Sequence, residues 1–498
     1  MKRFCYTIST LALAAAAPAL ADTRAADLWT EWQAQAVTTG QVVSADVTQT
    51  DTGLTLTNFT SVLEQPDVTT RGAIDRIELT ENADGTVTVT FSELYSITVT
   101  FEVDPGDPPG NIEIQMRHEG LDVRVSGDPG ARVYTYSADR LTLTEGAIWG
   151  GGGEPPEIDL SLEMTDLNTT YRLFGTDAET MRFSSEGSLS GATMLLDARP
   201  PEGEEGYLKM GLVMSALQST GSGSLISIGS LNQISGDLPP GFGFNGSASY
   251  GALDMEFMFE EPSQSFAILY GNEGGRIGFG FSEDAISYDI GATGARARIT
   301  SADLPAPVEL STASSTLRFQ IPVAAGDAPQ DVGLRIAVED LAMGDSLWAM
   351  VDPAGAVPRN PASLILDATG QIQLFVNLIG LDPEALDSPP GELRALNVSD
   401  LRLSAGGATL SGTADMTFAP GQIVPMPVGS ANLQLSGGNA LLDTLIASGM
   451  VPAQQGAFVR GAIAAFARQG ATPDTYETTV DFGADGAITA NGVPLPLQ

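Results

Sequence analysis

Between residues 86 and 103 apolar and polar side chains change places at almost every step. Val87, Val89 and Phe91 interleave with Thr86, Thr88 and Thr90, and Ile97, Val99, Phe101 and Val103 interleave with Thr98, Thr100 and Glu102. A period of two puts one apolar and one polar face on an extended chain, as a half-buried antiparallel strand requires. Asn82-Ala83-Asp84-Gly85 supplies a turn before the first run, after an apolar stretch from Ile74 to Leu79. The same alternation recurs as a loose repeat in which apolar residues lead to a Leu, usually just after an Asp or a small residue. The cases are Ile114-Met116 to Gly120-Leu121, Leu160-Leu162-Met164 to Asp166-Leu167, and Met210-Leu212-Met214 to Ala216-Leu217. Leu334-Ile336-Val338 to Asp340-Leu341 and Leu396-Val398 to Asp400-Leu401 continue it. The spacing is too irregular for a propeller or solenoid. Long strands with one apolar face, laid side by side, predict a large sheet that must be covered, curved or closed. The 56 Gly and 30 Pro suit many turns.

Helical periodicity is confined to a few places. Leu28, Trp32 and Ala36, with Trp29 beside them, form a stripe over residues 25–39, stopped by Gly40. Asp345 is placed to cap a short turn carrying Leu347 and Trp348. Asn439 is placed to cap a helix with Leu441, Leu442, Leu445 and Ile446; Pro452 opens another with Val459, Ala462, Ile463 and Phe466. A hairpin follows, from Tyr476 to Phe482, turning at Gly483-Ala484-Asp485-Gly486 and continuing from Ile488 to Asn491-Gly492. The predicted fold is mainly β: a large curved antiparallel sheet or open half-barrel with one N-terminal and two C-terminal helices, the latter covering its apolar face or one end. The Gly- and Ser-rich stretch 219–251 is the candidate boundary. It divides a β-rich region 22–235 from a second β-rich region 236–498, or marks a loop within one continuous domain.

The first 21 residues follow the plan of a secretory signal peptide. Lys2 and Arg3 precede an apolar run from Ile8 to Ala17, Pro18 breaks it, and Ala19 and Ala21 offer small residues for cleavage before Asp22. The predicted location is the periplasm. Cys5 lies in this leader and is the chain's only cysteine, so disulfides are excluded from the mature protein. No later stretch reaches 18 unbroken apolar residues, so no transmembrane segment is predicted. The chain carries 23 Lys and Arg against 62 Asp and Glu, a net charge of −39, and −41 without the leader's two cations. Such a field repels nucleic acid and anionic membrane surfaces.

The inventory is poor in catalytic groups. His118 is the one histidine and sits in an alternating run, where a sheet position outweighs a catalytic one; no Gly-x-Ser-x-Gly elbow accompanies it. With one His and no mature Cys, a usual zinc site is excluded. Lys209 is followed by Met210, so no phosphate-binding P-loop exists, and Gly150 to Gly153 read as a turn. Asp104-Pro105-Gly106-Asp107 lacks the alternating ligands of a calcium loop. No catalytic, cofactor or metal residue is assigned.

The Asp27-Leu28-Trp29 to Trp32 helix, the Leu347-Trp348 to Asp352-Pro353 step, and the close on Asp485-Gly486 to Asn491-Gly492 resemble a Gram-negative envelope family, the one catalogued as domain of unknown function 2125. The resemblance spans nearly the whole mature chain, and its motifs are architectural. It implies an envelope location and carries over no functional residue. Strand style alone is similar to AsmA-like envelope proteins, whose curved sheets form apolar grooves for lipids. The reading is therefore non-enzymatic: a periplasmic protein that binds a lipid or other apolar ligand in a sheet groove. The alternative is a structural or interaction module whose own helices fill that face.

Overall fold

The computed structural model describes residues 23–102, 107–176, 181–224, 238, 241–379, 381, 388–421 and 425–495. The predicted leader, with Ala19, Ala21 and Asp22, lies outside them. Helix α1 (Ala25–Thr38) forms where the apolar stripe was read. Gly40, at φ 78°, takes the left-handed conformation that ends it. Glu81 accepts the Ala25 N–H at 2.9 Å and so satisfies one free donor of the first turn.

After α1 the chain meanders through one antiparallel sheet. β1 (Gln41–Thr50) pairs with β2 (Gly53–Gln65), and β2 with β3 (Val68–Glu81). β4 (Val87–Phe91) and β5 (Leu94–Phe101) lie end to end along β3. β6 (Gly110–Glu119) and β7 (Asp122–Ser126) lie end to end against β8 (Ala131–Trp149). β9 (Glu157–Phe174), β10 (Arg182–Arg199) and β11 (Tyr207–Ser224) follow as long single strands. β12 (Gly243–Tyr250) and β13 (Leu253–Glu261) share β11; β14 (Gln264–Asn272) and β15 (Gly274–Ser282) share β16 (Ala285–Ser301). Then come β17 (Val308–Pro322), β18 (Gln330–Met343), β19 (Ala362–Leu374), β20 (Gly391–Ala405), β21 (Ala408–Phe418) and β22 (Pro427–Ser436). β23 (Arg468–Gln469) and β25 (Ile488–Ala490) flank β24 (Thr475–Phe482), and β26 (Val493–Pro494) ends the sheet. Among the described residues the sheet holds 26 strands, and no pairing joins β1 to the far end, so it is open and not a closed barrel. Residues 225–237 of the candidate boundary are outside the described residues; on either side of them β11 pairs directly with β12 and β13.

The Leu-ending repeat has a backbone cause. Gly120, Asp166, Ala216 and Asp340, the residues before the repeated Leu, all have positive φ, between 52° and 64°. Asn58 (53°) and Gly294 (59°) share the conformation without the Leu. Register places these residues on one line across the sheet. Asp166 lies between the pairs Ala138–Leu167 and Arg140–Thr165; Ala216 lies between Leu189–Leu217 and Gly191–Ser215. The breaks between β6 and β7, β12 and β13, and β14 and β15 fall on the same line. A left-handed residue turns the chain within a strand and bends it locally. The apolar alternation therefore changes phase there: Leu160, Leu162 and Met164 before Asp166, then Leu167, Tyr171 and Leu173 after it. At Asp400 the φ is not left-handed; the register slips instead between Val398 and Leu401.

Both predicted caps are corrected. Gly344 precedes α2 (Asp345–Val351), and Gly437 precedes α3 (Gly438–Ala447), with no side-chain cap from either Asp345 or Asn439. Gly437 is left-handed at φ 70°, and a Cβ there would meet the Gly407 carbonyl oxygen at 2.5 Å, so a residue with a side chain does not fit. The α3 amides are satisfied from a distance instead: Asp474 accepts the N–H groups of Asn439 and Ala440, both at 3.1 Å. The final hairpin forms as predicted, and Asn491 and Gly492 both take positive φ in the turn before β26.

The densest core lies under α1. Leu28 and Trp29 pack on Leu54, Leu56, Ile77, Leu79, Val87 and Val125. α3 and α4 (Ala453–Phe466) contact each other and α3 reaches β21. Phe458 on α4 is 79% exposed, and Val459, among the apolar residues that marked this helix in the sequence, is exposed too. Among the described residues no helix is long and apolar enough to cross a membrane.

Candidate functional site

Directly paired residues in adjacent strands point to the same face. The register therefore reads out as rows across the sheet. On one side of the bend line a row runs through Leu162, Met194, Leu212, Met255, Tyr270 and Ala297. On the other side one row runs through Ile277, Ile290, Leu317, Ile336, Leu366 and Leu401. The next runs through Phe279, Tyr288, Phe319, Leu334, Ala368 and Val398. Aromatic packing stiffens this second half: Tyr288 stacks on Phe319 at 5.8 Å, and Phe244 meets Phe279 and Phe281 at 5.7 and 5.5 Å.

The two halves present their apolar rows on one side of the sheet. Asn272 bonds Tyr270, in the Met- and Leu-rich half, and Tyr250, in the aromatic half. At the N-terminal end Trp29 packs on Phe59 beyond the bend, in the same cluster as Leu54 and Leu56 before it. The phase change at the left-handed residues thus keeps the apolar face continuous where an unbroken strand would turn it over.

In the middle of the sheet this face is open. Ile277, Phe279, Leu317, Ile321 and Leu334 are all exposed, Phe279 at 44% and Leu317 at 39%. They lie in neighbouring rows on β15, β17 and β18, with the half-buried Tyr288 and Ile290 of β16 between them. Scattered exposed apolar residues are ordinary, but a contiguous set marks a surface that meets something. The predicted covering by the C-terminal helices reaches only the β21 end, where α3 packs, and α1 covers the N-terminal end.

The opposite face is a lattice of ion pairs. Arg276 and Arg318 both bond Asp289, at 3.1 and 2.8 Å; Arg296 pairs Asp254 at 2.8 Å, Arg298 pairs Glu309 at 2.6 Å, and Lys209 pairs Glu256 at 2.8 Å. Slight burial alone would raise the Asp289 carboxyl, but the hydrogen bonds from Arg318 and Arg276 outweigh it and hold it below the usual carboxylate range. Two grooves run along the sheet. One, about 750 Å³, runs between Thr170, Glu186, Thr220 and the row of Ser188, Gln218 and Arg276. The other, about 1040 Å³, follows the row of Met194, Leu212, Met255 and Tyr270, with Asp254, Arg296 and Arg298 beside it. Their rims are already engaged in ion pairs, and they lack the converging unpaired polar groups of a specific site.

His118 lies in β6, with Nε2 3.2 Å from the Ser92 carbonyl oxygen at the junction of β4 and β5. It is placed to support that break in the strand. Gly150, Gly151 and Gly152 form a positive-φ turn between β8 and β9. Among the described residues no three His, Cys, Asp or Glu side chains gather as a metal site would need. Sequence reading missed Asn272. Its signal was available: it stands where the alternation Phe266, Ile268, Tyr270 calls for another apolar residue.

Compared with known proteins, the chain matches no family model, no curated protein and no solved structure.

Proposed function

We propose that this is a periplasmic, non-enzymatic protein whose open apolar face, from β12 to β20, holds a lipid or other apolar ligand. The observation that carries the reading is the contiguous exposure of Ile277, Phe279, Leu317, Ile321 and Leu334 beside rows that contain no charged side chain. The end under α1 is filled by the protein's own core and takes no part. The leader expected over residues 1–21 and the resemblance to an envelope family support the location. With so acidic a chain, the face meets its ligand as a carried molecule and not by lying on an anionic bilayer.

Delipidated protein is expected to bind a fluorescent fatty-acyl probe with micromolar affinity. Phe279→Asp with Leu317→Asp, both at exposed positions, are expected to abolish binding without altering the circular dichroism spectrum. Absence of binding by the parent protein, or unchanged binding by the double variant, rejects this face as the site.

A further inference from the structure

The apolar face contains one polar constellation that is incompletely satisfied. Asn272 follows Phe266, Ile268 and Tyr270 on the same side of β14 and is only 1% exposed. Its Nδ2 donates to the Tyr270 hydroxyl at 3.1 Å and the Tyr250 hydroxyl at 3.3 Å. Its Oδ1 is buried without a hydrogen-bond partner. The same row holds a second such atom. Gly271 pairs with Arg296, which sets Asn272 level with Ala295, and Ala295 pairs with Thr312, whose Oγ1 is also buried and unpartnered. Only the methyl group of Ala295 stands between them in that row. A buried acceptor left without a donor costs about 1–3 kcal/mol, so native proteins rarely keep one that nothing fills.

The donor and acceptor count defines what would fill it. Each tyrosine hydroxyl accepts from Asn272 and retains its own proton to donate. The constellation thus offers two O–H donors, an amide acceptor and a threonine hydroxyl. A ligand hydroxyl or ester group answers both kinds of need. A charged head does not. The nearby cations Arg276, Arg296, Arg298 and Arg318 are on the other face in ion pairs, and the carboxylates Asp254, Glu256 and Asp289 lie there with them.

We propose that Tyr250, Asn272 and Tyr270, with Thr312, anchor the uncharged oxygen-bearing head of an amphiphile of the monoacylglycerol class, whose chain lies along the adjoining apolar rows. This inference rests on the ligand-binding reading above. It adds the head-group chemistry and the place on the face where that head sits.

The test is displacement of a fluorescent acyl probe from the full chain by 1-monooleoylglycerol, oleate and octadecane. Monooleoylglycerol is expected to compete about 10-fold better than octadecane, the value of roughly one to two net hydrogen bonds. Tyr250→Phe with Tyr270→Phe, and separately Asn272→Leu, are expected to remove that advantage while octadecane competes as before. The phenylalanine pair keeps ring packing, so it reports even if the Asn272 variant fails to fold. Equal competition by monooleoylglycerol and octadecane in the parent, or an advantage that survives the phenylalanine pair, overturns the anchor and leaves the constellation to ordered water. Preference for oleate overturns the uncharged head. Failure of every competitor and of the probe to bind the parent rejects the underlying ligand-binding reading instead.

Discussion

Arg132 is the one buried cation among the described residues, at 2% exposure. Its Nε and Nη2 each donate to Glu31 at 2.9 Å, and Nη1 donates to Thr23 at 3.2 Å and to the Gly127 carbonyl. These bonds tie the start of α1 to β8. A guanidinium cannot shed its proton to escape burial, so removing its partner is worse than removing it. Glu31→Leu is expected to cost about 3–5 kcal/mol in urea unfolding, and Arg132→Met measurably less. The reverse order would show that the pair adds nothing beyond packing. Beside it, Trp32 donates to the Tyr134 hydroxyl at 3.2 Å, and Tyr134 packs near Tyr136 and Tyr171. Burial raises all three phenols; for Tyr136, the most strongly raised, the neighbouring Tyr134 and Tyr171 add to it. A raised folded-state value favours the neutral ring. Its stabilisation is complete below the unfolded value near 10 and is lost as pH rises beyond it. The denaturation midpoint is therefore expected to fall above about pH 10, with a shallower fall in Tyr136→Phe. A midpoint indifferent to pH between 9 and 11 contradicts this.

The bend line is the feature that organises the strands. Glycine takes positive φ freely, Asp and Asn tolerate it, and alanine has no local hydrogen bond to offset its Cβ. Ala216, at φ 52°, is the informative position. Ala216→Gly is expected to stabilise by about 1 kcal/mol, and Ala216→Val to destabilise by at least as much, in equilibrium denaturation. A valine that is tolerated would mean that the bend is not maintained in solution. The repeat of small or acidic residue followed by Leu was readable in sequence because phase change and turn-prone residue coincide at Gly120, Asp166, Ala216 and Asp340. It read as a repeat and not as a bend, since nothing in one strand reveals where its neighbours bend. Asn58 and Gly294 escaped because Phe59 and Ala295 replace the Leu. The caps at Gly344 and Gly437 were hidden for a related reason: the group that satisfies α3 is Asp474, 35 residues along the chain from Asn439. Alternation along a strand is local information. The partner across a turn, the helix that covers a row and the unpartnered Oδ1 of Asn272 are not.

At the scale of the whole molecule, an open apolar face and open sheet edges coexist with a net charge of −39. An exposed edge strand and a contiguous apolar patch each invite association. β1 is such an edge: it has ten residues, pairs among the described residues only with β2, and exposes Val42 and Val47. Like charge opposes that association at a distance of roughly 10 Å or more when salt is low, and loses its reach as salt or acid is added. The charge thus acts as the guard that covering helices supply in smaller sheets. Light scattering is expected to show single chains at pH 7 and 20 mM salt, and growing association at 1 M salt or as pH falls toward the carboxylate range near 4. Two variants separate the contributing surfaces. Phe279→Asp with Leu317→Asp is expected to suppress the association if the central face drives it; Val42→Lys with Val47→Lys suppresses it if the β1 edge does. Because the rows of the central face are broader than the edge, the first pair should have the larger effect, and bound acyl ligand should reproduce it in the parent protein. Association that is insensitive to ligand and to the first pair would move the exposed hydrophobic work of this molecule from its face to its edge.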